Sequence, residues 1–484
     1  MNLAGVIESC TANPLSVLSF LAPDGAGREI TFGELGSRAL TLAARLSQGG
    51  LERGHVVGIQ AENSIDWVVW DLAVSHLCAV LRPYPAHHEF EADERIASHG
   101  LALLVSERES HRGRPHVSPV DWGAFSPAMV AVSAPRNDEP DLHSIVYSSG
   151  TTGREKVLLI SRKGAADAVG WFCNDFDIGP ADRHLIFLPL TGLQQRQQVF
   201  ACLEVGASLT LCAYQRAMPA IRAQKPTFML APPALYENML SVAQSTGLTL
   251  AEMFGGETRF LITGMAPIRP RVMDAYWAAG IRLLEGYGLT ECGIIACNTV
   301  EQCKPGTVGR PIDPKAFSIS AEGEILVRQR HPLSLGYLGA DDLNSATFGS
   351  DGTVKTGDVG HLDEDGFLIL DGRIKDMIVL PSGKKLHPGD IEHLLLQLAG
   401  VEDAVAVDNG NGVTAVLNVA EGVTQQEIRA GLRGLGGSID AAGAVNQVIF
   451  ADIPLTRNPI FSTANLKLNR HLVGRHFVGE AARS

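Results

Sequence analysis

The sequence predicts an α/β protein: a large layered N-terminal α/β domain followed by a small C-terminal α+β domain. Three observations predict it. Short, continuous apolar runs alternate with longer stretches whose apolar residues fall at helical spacing, as buried parallel strands and their covering helices require. The chain has 484 residues, more than the ~250–300 that one hydrophobic core sustains. Beyond residue 371 the pattern changes to a compact set of helices and strands of its own.

The elements follow in order. Residues 32–46 carry apolar side chains at helical spacing, with Thr31 as N-cap. Residues 56–59 form a short apolar strand, 65–80 a largely apolar helix and 80–84 the next strand. The same alternation returns at 185–190, 207–212, 226–230 and 259–263. It indicates α/β layers with parallel pairing. Residues 320–371 differ: short strands at 324–327 and 367–370 are separated by turns such as Asp351-Gly352 and Asp365-Gly366. After Arg373 come a helix at 388–398, strands near 404–407 and 413–419, a helix at 424–435, a strand at 447–450 and an irregular tail. A junction at 371–375 therefore divides the chain into 1–372 and 373–484.

Composition bounds the function. An apolar fraction of 45% and a charged fraction of 19% are those of a folded protein. A net charge of −13 argues against a nucleic-acid partner held by phosphate contacts and against a polybasic membrane patch. The start, M-N-L-A-G-V-I-E-S-C, has neither the basic residues nor the apolar run of a signal peptide. No stretch reaches the ~18 apolar residues of a membrane-spanning helix. Eight scattered cysteines make no C-x-x-C pair, so a zinc or disulfide framework is not expected and a reducing, cytoplasmic compartment is.

Five motifs carry chemistry. Y-S-S-G-T-T-G-R-E-K at 147–156 follows an apolar strand. Gly150 and Gly153 allow tight turns that expose backbone N–H groups, Ser148, Ser149, Thr151 and Thr152 add hydroxyls, and Lys156 adds a charge. That is a phosphate cradle, without Walker A spacing. L-E-G-Y-G-L-T-E at 284–291 presents a Gly-flanked tyrosine with a flat face for a base, and Glu291 is a hard oxygen ligand suited to Mg²⁺. K-T-G-D at 355–358, D-G-R-I-K-D at 371–376 and Lys467 in S-T-A-N-L-K-L-N-R would each, alone, read as a capping turn, a solvated linker and a surface lysine.

Their order changes that reading. Y-S-S-G-T-T-G, G-M-A-P (264–267), E-G-Y-G-L-T-E, G-T-V-G-R-P (306–311), T-G-D, G-R-I-K-D and the late lysine together resemble the adenylate-forming superfamily. It includes acyl-CoA synthetases, peptide-synthetase adenylation domains and beetle luciferases, and the resemblance runs from Ile30 to Arg470. It implies a mobile C-terminal lid and ATP-dependent activation of a carboxylic acid, with the acyl group then passed to a thiol. On that resemblance the 148–156 loop holds the β,γ-phosphates. Gly264, Met265, Ala266 and Pro267, with Glu285, Gly286 and Tyr287, line the adenine slot, with Thr290 beside them. Thr151 and Glu291 sit at Mg²⁺. Asp358 binds the ribose, Arg373 lies near the nucleotide, Lys375 is the hinge and Lys467 reaches the α-phosphate and the substrate carboxylate. The implied partners are ATP, Mg²⁺, a small-molecule carboxylic acid and coenzyme A.

F-L-P-L-T-G-L-Q-Q-R-Q-Q-V-F at 187–200 and the tail T-A-N-L-K-L-N-R look most like the long-chain fatty acyl-CoA synthetase branch. The aspartate that anchors an amino acid's amine is missing, which disfavours amino-acid substrates. The sequence departs from the family at Glu155 (mostly proline), Val157 (glycine), Arg162 (commonly histidine) and Gly192 (histidine). Gln194, Gln195, Gln197 and Gln198 read first as an exposed helix face, otherwise as a polar lining of the acyl pocket. Two other readings stay open. One is a stand-alone adenylating enzyme that loads an acyl carrier protein's phosphopantetheine. The other is a non-catalytic nucleotide-binding homologue.

Overall fold

The computed structural model describes residues 2–85, 88, 99–131, 133–137, 139–148, 156–380, 382, 385–435, 444–453, 455, 458–461 and 468–479. They fall into two compact units. The first contains the residues up to 148 together with 156–305 and 328–354; the second contains 306–327 and the residues from 355 onward.

The first unit is built on two mostly parallel sheets. In one, Gly27–Thr31 pairs antiparallel with Val17–Leu21, and Ser208–Cys212, Arg183–Ile186, Phe228–Ala231, Phe260–Thr263 and Leu283–Leu289 follow in parallel. Gly293–Cys297 returns antiparallel on Leu283–Leu289. In the other, Val117–Ser118, Leu101–Ser106, Val56–Gln60, Val80–Pro83 and Leu142–Ser148 run parallel, and Lys156–Ser161 and Ser334–Tyr337 complete it antiparallel. Every residue of Val56–Gln60 and of Leu101–Ser106 is buried, which is why these strands read as unbroken apolar runs.

Helices cover the sheets as their stripes dictate. Phe32–Gln48 buries Phe32, Leu35, Ala39, Leu42, Ala43 and Leu46, and the Thr31 hydroxyl accepts from the Glu34 N–H at 3.2 Å. Ile65–His76 is buried on nearly all sides and stops short of residue 80 because Cys78 turns at φ 54°. The glutamine-rich helix Leu193–Val205 corrects the first reading of that stretch. It is no exposed face: Gln195, Arg196 and Gln198 are buried. Arg196 forms a two-pronged pair with Asp71 at 2.8 and 2.7 Å, and His184 Nε2 lies 2.6 Å from Gln198 Oε1.

The second unit opens with a sheet in the order Phe317–Ile319, Glu324–Val327, Val354–Leu362, Leu368–Arg373. A second sheet pairs Val401–Asp408 antiparallel with Val413–Val419, which runs parallel to Val445–Phe450. Alternation along these strands feeds two cores. Ala404 and Ala406 face one that includes Ile391, Leu395, Leu417 and Ile428; Val405 and Val407 face one that includes Leu455, Phe461 and Val473. The tail is not wholly irregular: Arg470–Phe477 is a helix, capped by Asn469.

Candidate active site

Open α/β sheets bind ligands at the carboxyl ends of their strands. Two of the sequence motifs stand there in the first unit. The Phe260–Thr263 strand runs into Gly264, Met265, Ala266 and Pro267, and Glu285, Gly286 and Tyr287 lie within Leu283–Leu289, with Thr263 opposite Glu285. Close backbone approach explains the glycines. A Cβ on Gly264 would sit 2.9 Å from the Gly286 carbonyl oxygen, and one on Gly288 2.2 Å from that of Gly293. Met265 holds the left-handed conformation at φ 70° without being glycine, a local strain at the tip of this loop.

Two buried polar groups mark this loop. The Thr263 hydroxyl is buried with no hydrogen-bond partner among the described residues. Burial lifts the Glu285 carboxyl from its ordinary value to about 7. A ligand offering polar atoms would relieve both, so the slot fits a nucleobase edge.

The Leu283–Leu289 hairpin turns through Thr290, Glu291 and Cys292, and Gln329 Nε2 donates to the Cys292 carbonyl at 2.8 Å. Beyond the turn, the Tyr337 hydroxyl donates to Glu291 Oε1. Lys156 Nζ lies 5.4 Å from the centroid of the same tyrosine ring. Glu291 Oε2 accepts no hydrogen bond from the described residues. A carboxylate held by one oxygen and open at the other suits Mg²⁺, which takes one or two protein carboxylates and fills its remaining positions from phosphate and water. The structure thus brings together Lys156 from the first motif and Glu291 from the second.

In the second unit Asp358 and Arg373 face each other across the Val354–Leu362 and Leu368–Arg373 hairpin. Arg373 Nε donates to Asp358 Oδ1 at 2.6 Å, and the aspartate is buried. Lys375 stands exposed in the 3-10 turn Ile374–Asp376 that follows. Ser149, Gly150, Thr151, Thr152, Gly153, Glu155 and Lys467 lie outside the described residues. Of Ser148 only the backbone is described: it ends its strand opposite Lys156.

The family departures have physical correlates. Val157 packs beside Tyr147 and Leu159 against the core of the second sheet. Arg162 donates to the carbonyl of Leu142 at 3.2 Å, and burial holds its guanidinium pKa below the usual range. Gly192 caps the Leu193–Val205 helix, and a Cβ there would stand 2.2 Å from Gln195 Oε1. A side chain at 192 and this placement of Gln195 therefore exclude each other.

Comparison with known proteins decides the family. Residues 11–338 match the family model described as AMP-binding enzyme. The chain belongs to the AMP-binding enzyme family. Its relatives include long-chain-fatty-acid–CoA ligase FadD15 of Mycobacterium bovis, 23% identical over 94% of this chain and 92% of that one. Another is 4-coumarate–CoA ligase 5 of Oryza sativa, 25% identical over 84% of each chain. Among solved structures, ATP-bound MatB from Rhodopseudomonas palustris superposes with a TM-score of 0.79 at 24% identity, covering 99% of both chains. The α/β class expected from sequence is that of these adenylate-forming enzymes.

One residue of this AMP-binding enzyme was missed in sequence. Tyr337 touches both Glu291 and Lys156, yet S-L-G-Y-L-G at 334–339 carries no obvious chemical signature. Its only sequence signal is a tyrosine closing a short apolar strand.

Proposed function

We propose that this protein is an AMP-forming acid–thiol ligase. It joins a carboxylate to the α-phosphorus of ATP with release of pyrophosphate, then transfers the acyl group from the adenylate to a thiol with release of AMP. The acid is a fatty or related acyl acid, and the thiol is that of coenzyme A. A carrier protein's phosphopantetheine ends in the same thiol and is the alternative acceptor. The supporting observation is the convergence of Lys156, Tyr337 and Glu291 at one end of the first unit, in a chain whose residues 11–338 match the AMP-binding family.

The residues divide the work. Bringing a carboxylate to a polyphosphate opposes like charges, so the first half-reaction needs fixed cations and oriented N–H groups. Ser148, Ser149, Gly150, Thr152, Gly153 and Lys156 cradle the β,γ-phosphates. Glu291, oriented by Tyr337, and Thr151 hold Mg²⁺, which neutralises phosphate charge when bound. Gly264 to Pro267, Glu285 to Tyr287 and Thr290 receive the adenine. Asp358, fixed by Arg373, takes the ribose hydroxyls. Lys467 reaches the α-phosphate and carboxylate in the first half-reaction, and Lys375 is the hinge about which 373–484 turns between half-reactions.

Pyrophosphate release across straight-chain, branched and aromatic acids, followed by thioester yield with coenzyme A or with phosphopantetheinylated carrier protein, tests the reading. Adenylation of at least one acid class is expected, with transfer to coenzyme A. Silence toward every acid sinks the ligase reading; transfer to the carrier alone reassigns the acceptor. Lys467→Ala should cut adenylation by ~10²–10³ while sparing transfer from pre-formed acyl-adenylate. Lys375→Pro should do the reverse.

A further inference from the structure

Histidines and carboxylates gather on both sides of the junction at Lys375. His361 and Asp371 stand before it, on the strands Val354–Leu362 and Leu368–Arg373. His387, Asp390 and His393 stand after it: His387 is the N-cap of the Pro388–Leu396 helix, and the other two lie within its first turns. All five belong to the second unit.

Close packing joins the two sides. Gly372 has φ 147°, and a Cβ there would sit 3.1 Å from His387 Nδ1. A Cβ on Gly389 would lie 3.8 Å from the Asp371 carbonyl oxygen. The start of the helix thus rests on the end of the strand. His361 Nδ1 lies 3.1 Å from Asp371 Oδ2. Asp390 feels the same groups. Desolvation raises its carboxyl above the ordinary value, the charges of His387, His393 and His361 oppose the rise, and that of Asp371 adds to it. Two carboxylates, one from each side of the junction, therefore share a neighbourhood with three histidines.

The surrounding charges are arranged differently. Arg373 donates to Asp358, and Arg470 holds Asp376 and Glu392. Lys375 stands exposed in its turn, and Lys384 lies outside the described residues. Toward Val401–Asp408 the helix presents Ile391, Leu394 and Leu395, an apolar face. Histidine is the side chain that ordinarily changes charge between about pH 5 and 8. Protonated histidines give each carboxylate a cation and tie the helix start to the strand end. With neutral histidines, Asp371 and Asp390 repel each other across the junction.

We propose that His361, Asp371, His387, Asp390 and His393 form a pH-sensitive latch across the hinge, closed at low pH and released at high pH. The inference rests on the hinge assigned to Lys375 in the ligase reading and adds a regulator to it. Turning 373–484 about Lys375 carries His387, Asp390 and His393 relative to His361 and Asp371, so the rotation must break these contacts. Mildly acid conditions hold the arrangement described here, and mildly alkaline conditions free the lid to turn.

The test is a spin-label distance across the junction in the full-length chain. The labels sit on Glu364→Cys and Gln397→Cys, both exposed positions. Cys78→Ser and Cys303→Ser remove the two cysteines that are not buried. From pH 6 to pH 8 a second, longer distance should gain about threefold to fivefold in population, the range that a partly exposed ion pair commands. His361→Gln cannot become charged and should show the longer distance already at pH 6. Asp390→Asn removes one of the opposed carboxylates and should keep the short distance at pH 8. A single distance that does not change with pH in wild type overturns the latch, as does a wild-type response in both variants. Lys375→Pro should hold one distance at both pH values; a wild-type response there overturns the placement of the latch at this hinge. Pyrophosphate release from the same preparations separates the two readings. A pH-dependent distance in a protein that adenylates no acid supports the latch and rejects the ligase reading.

Discussion

Arg470 clasps Glu392: its Nη2 lies 2.7 and 2.8 Å from the two carboxylate oxygens. The same guanidinium reaches Asp376 at 3.4 Å, and Glu392 Oε1 also accepts the Ala406 N–H at 2.9 Å. One arginine thereby ties the start of the Arg470–Phe477 helix to the Pro388–Leu396 helix, to the Val401–Asp408 strand and to the turn that carries Lys375. Both carboxylates favour its charged form, and its pKa is raised despite burial.

Arg470→Met should loosen this part of the second unit. Breaking a fully buried pair costs about 3–5 kcal/mol; this pair is partly exposed, so a loss of about 1–3 kcal/mol is expected. Amide exchange in 470–477 should accelerate before the rest of the unit does. Because Lys467 lies three residues upstream, adenylation should fall more than transfer from pre-formed adenylate. Unchanged exchange in 470–477 would show that the clasp does not hold the tail.

Glu291→Gln should raise the Mg²⁺ concentration needed for half-maximal adenylation and lower the rate, with little effect on folding. Tyr337→Phe leaves the carboxylate and removes its hydroxyl donor. A hydrogen bond to a charged group contributes about 1.5–3 kcal/mol, so this variant should lose stability and show a smaller change in metal dependence. A Mg²⁺ titration of both variants checks the order. Wild-type metal dependence in Glu291→Gln removes that residue from the metal site.

Glu285 makes stability depend on pH. Burial raises its carboxyl from 4.5 to about 7. Between those values the unfolded chain releases the proton while the folded protein keeps it, so stability falls as pH rises and levels off above about 7. At 1.36 kcal/mol per unit the ceiling is about 3 kcal/mol; partial access to water reduces it to about 1–2 kcal/mol. Glu285→Gln should therefore match wild type near pH 4.5 and exceed it near pH 8 in urea unfolding. A difference that is constant across pH would mean that burial does not perturb this carboxyl.

These sites differ in how far sequence reveals them. Thr31 and the 32–46 stripe announce their helix because cap and periodicity are local. Asp358 and Arg373 become a pair as soon as their strands are recognised, since they are 15 residues apart across one hairpin. Glu291 and Tyr337 are 46 residues apart on different strands, and no pattern links them. The glutamine-rich helix misleads because its polarity suggests solvent, whereas Asp71, 125 residues away, neutralises Arg196 in the core. The Arg470–Phe477 helix escapes notice because its sequence offers few apolar residues and a glycine. Local chemistry is legible; partners brought together by topology are not.

Met265 weighs strain against chain entropy. Its φ of 70° puts a Cβ-bearing residue where glycine is preferred. Left-handed backbone costs a residue with a Cβ about 1–2 kcal/mol. Replacement by glycine removes that cost and adds about 0.5–1 kcal/mol of unfolded-chain entropy. The two nearly cancel, so Met265→Gly should lie within about 1 kcal/mol of wild type. Met265→Ile has no such offset: β-branching disfavours positive φ further, and a loss of about 1–3 kcal/mol is expected. Urea midpoints for both variants separate the terms. The loop also belongs to the slot proposed for adenine, between the Phe260–Thr263 strand and Glu285. Met265→Ile should therefore raise the KM for ATP, because a backbone that relaxes toward negative φ moves Gly264 away from its close approach to Gly286. If Met265→Ile unfolds at the wild-type midpoint and binds ATP as wild type does, the left-handed turn is neither strained nor part of the slot.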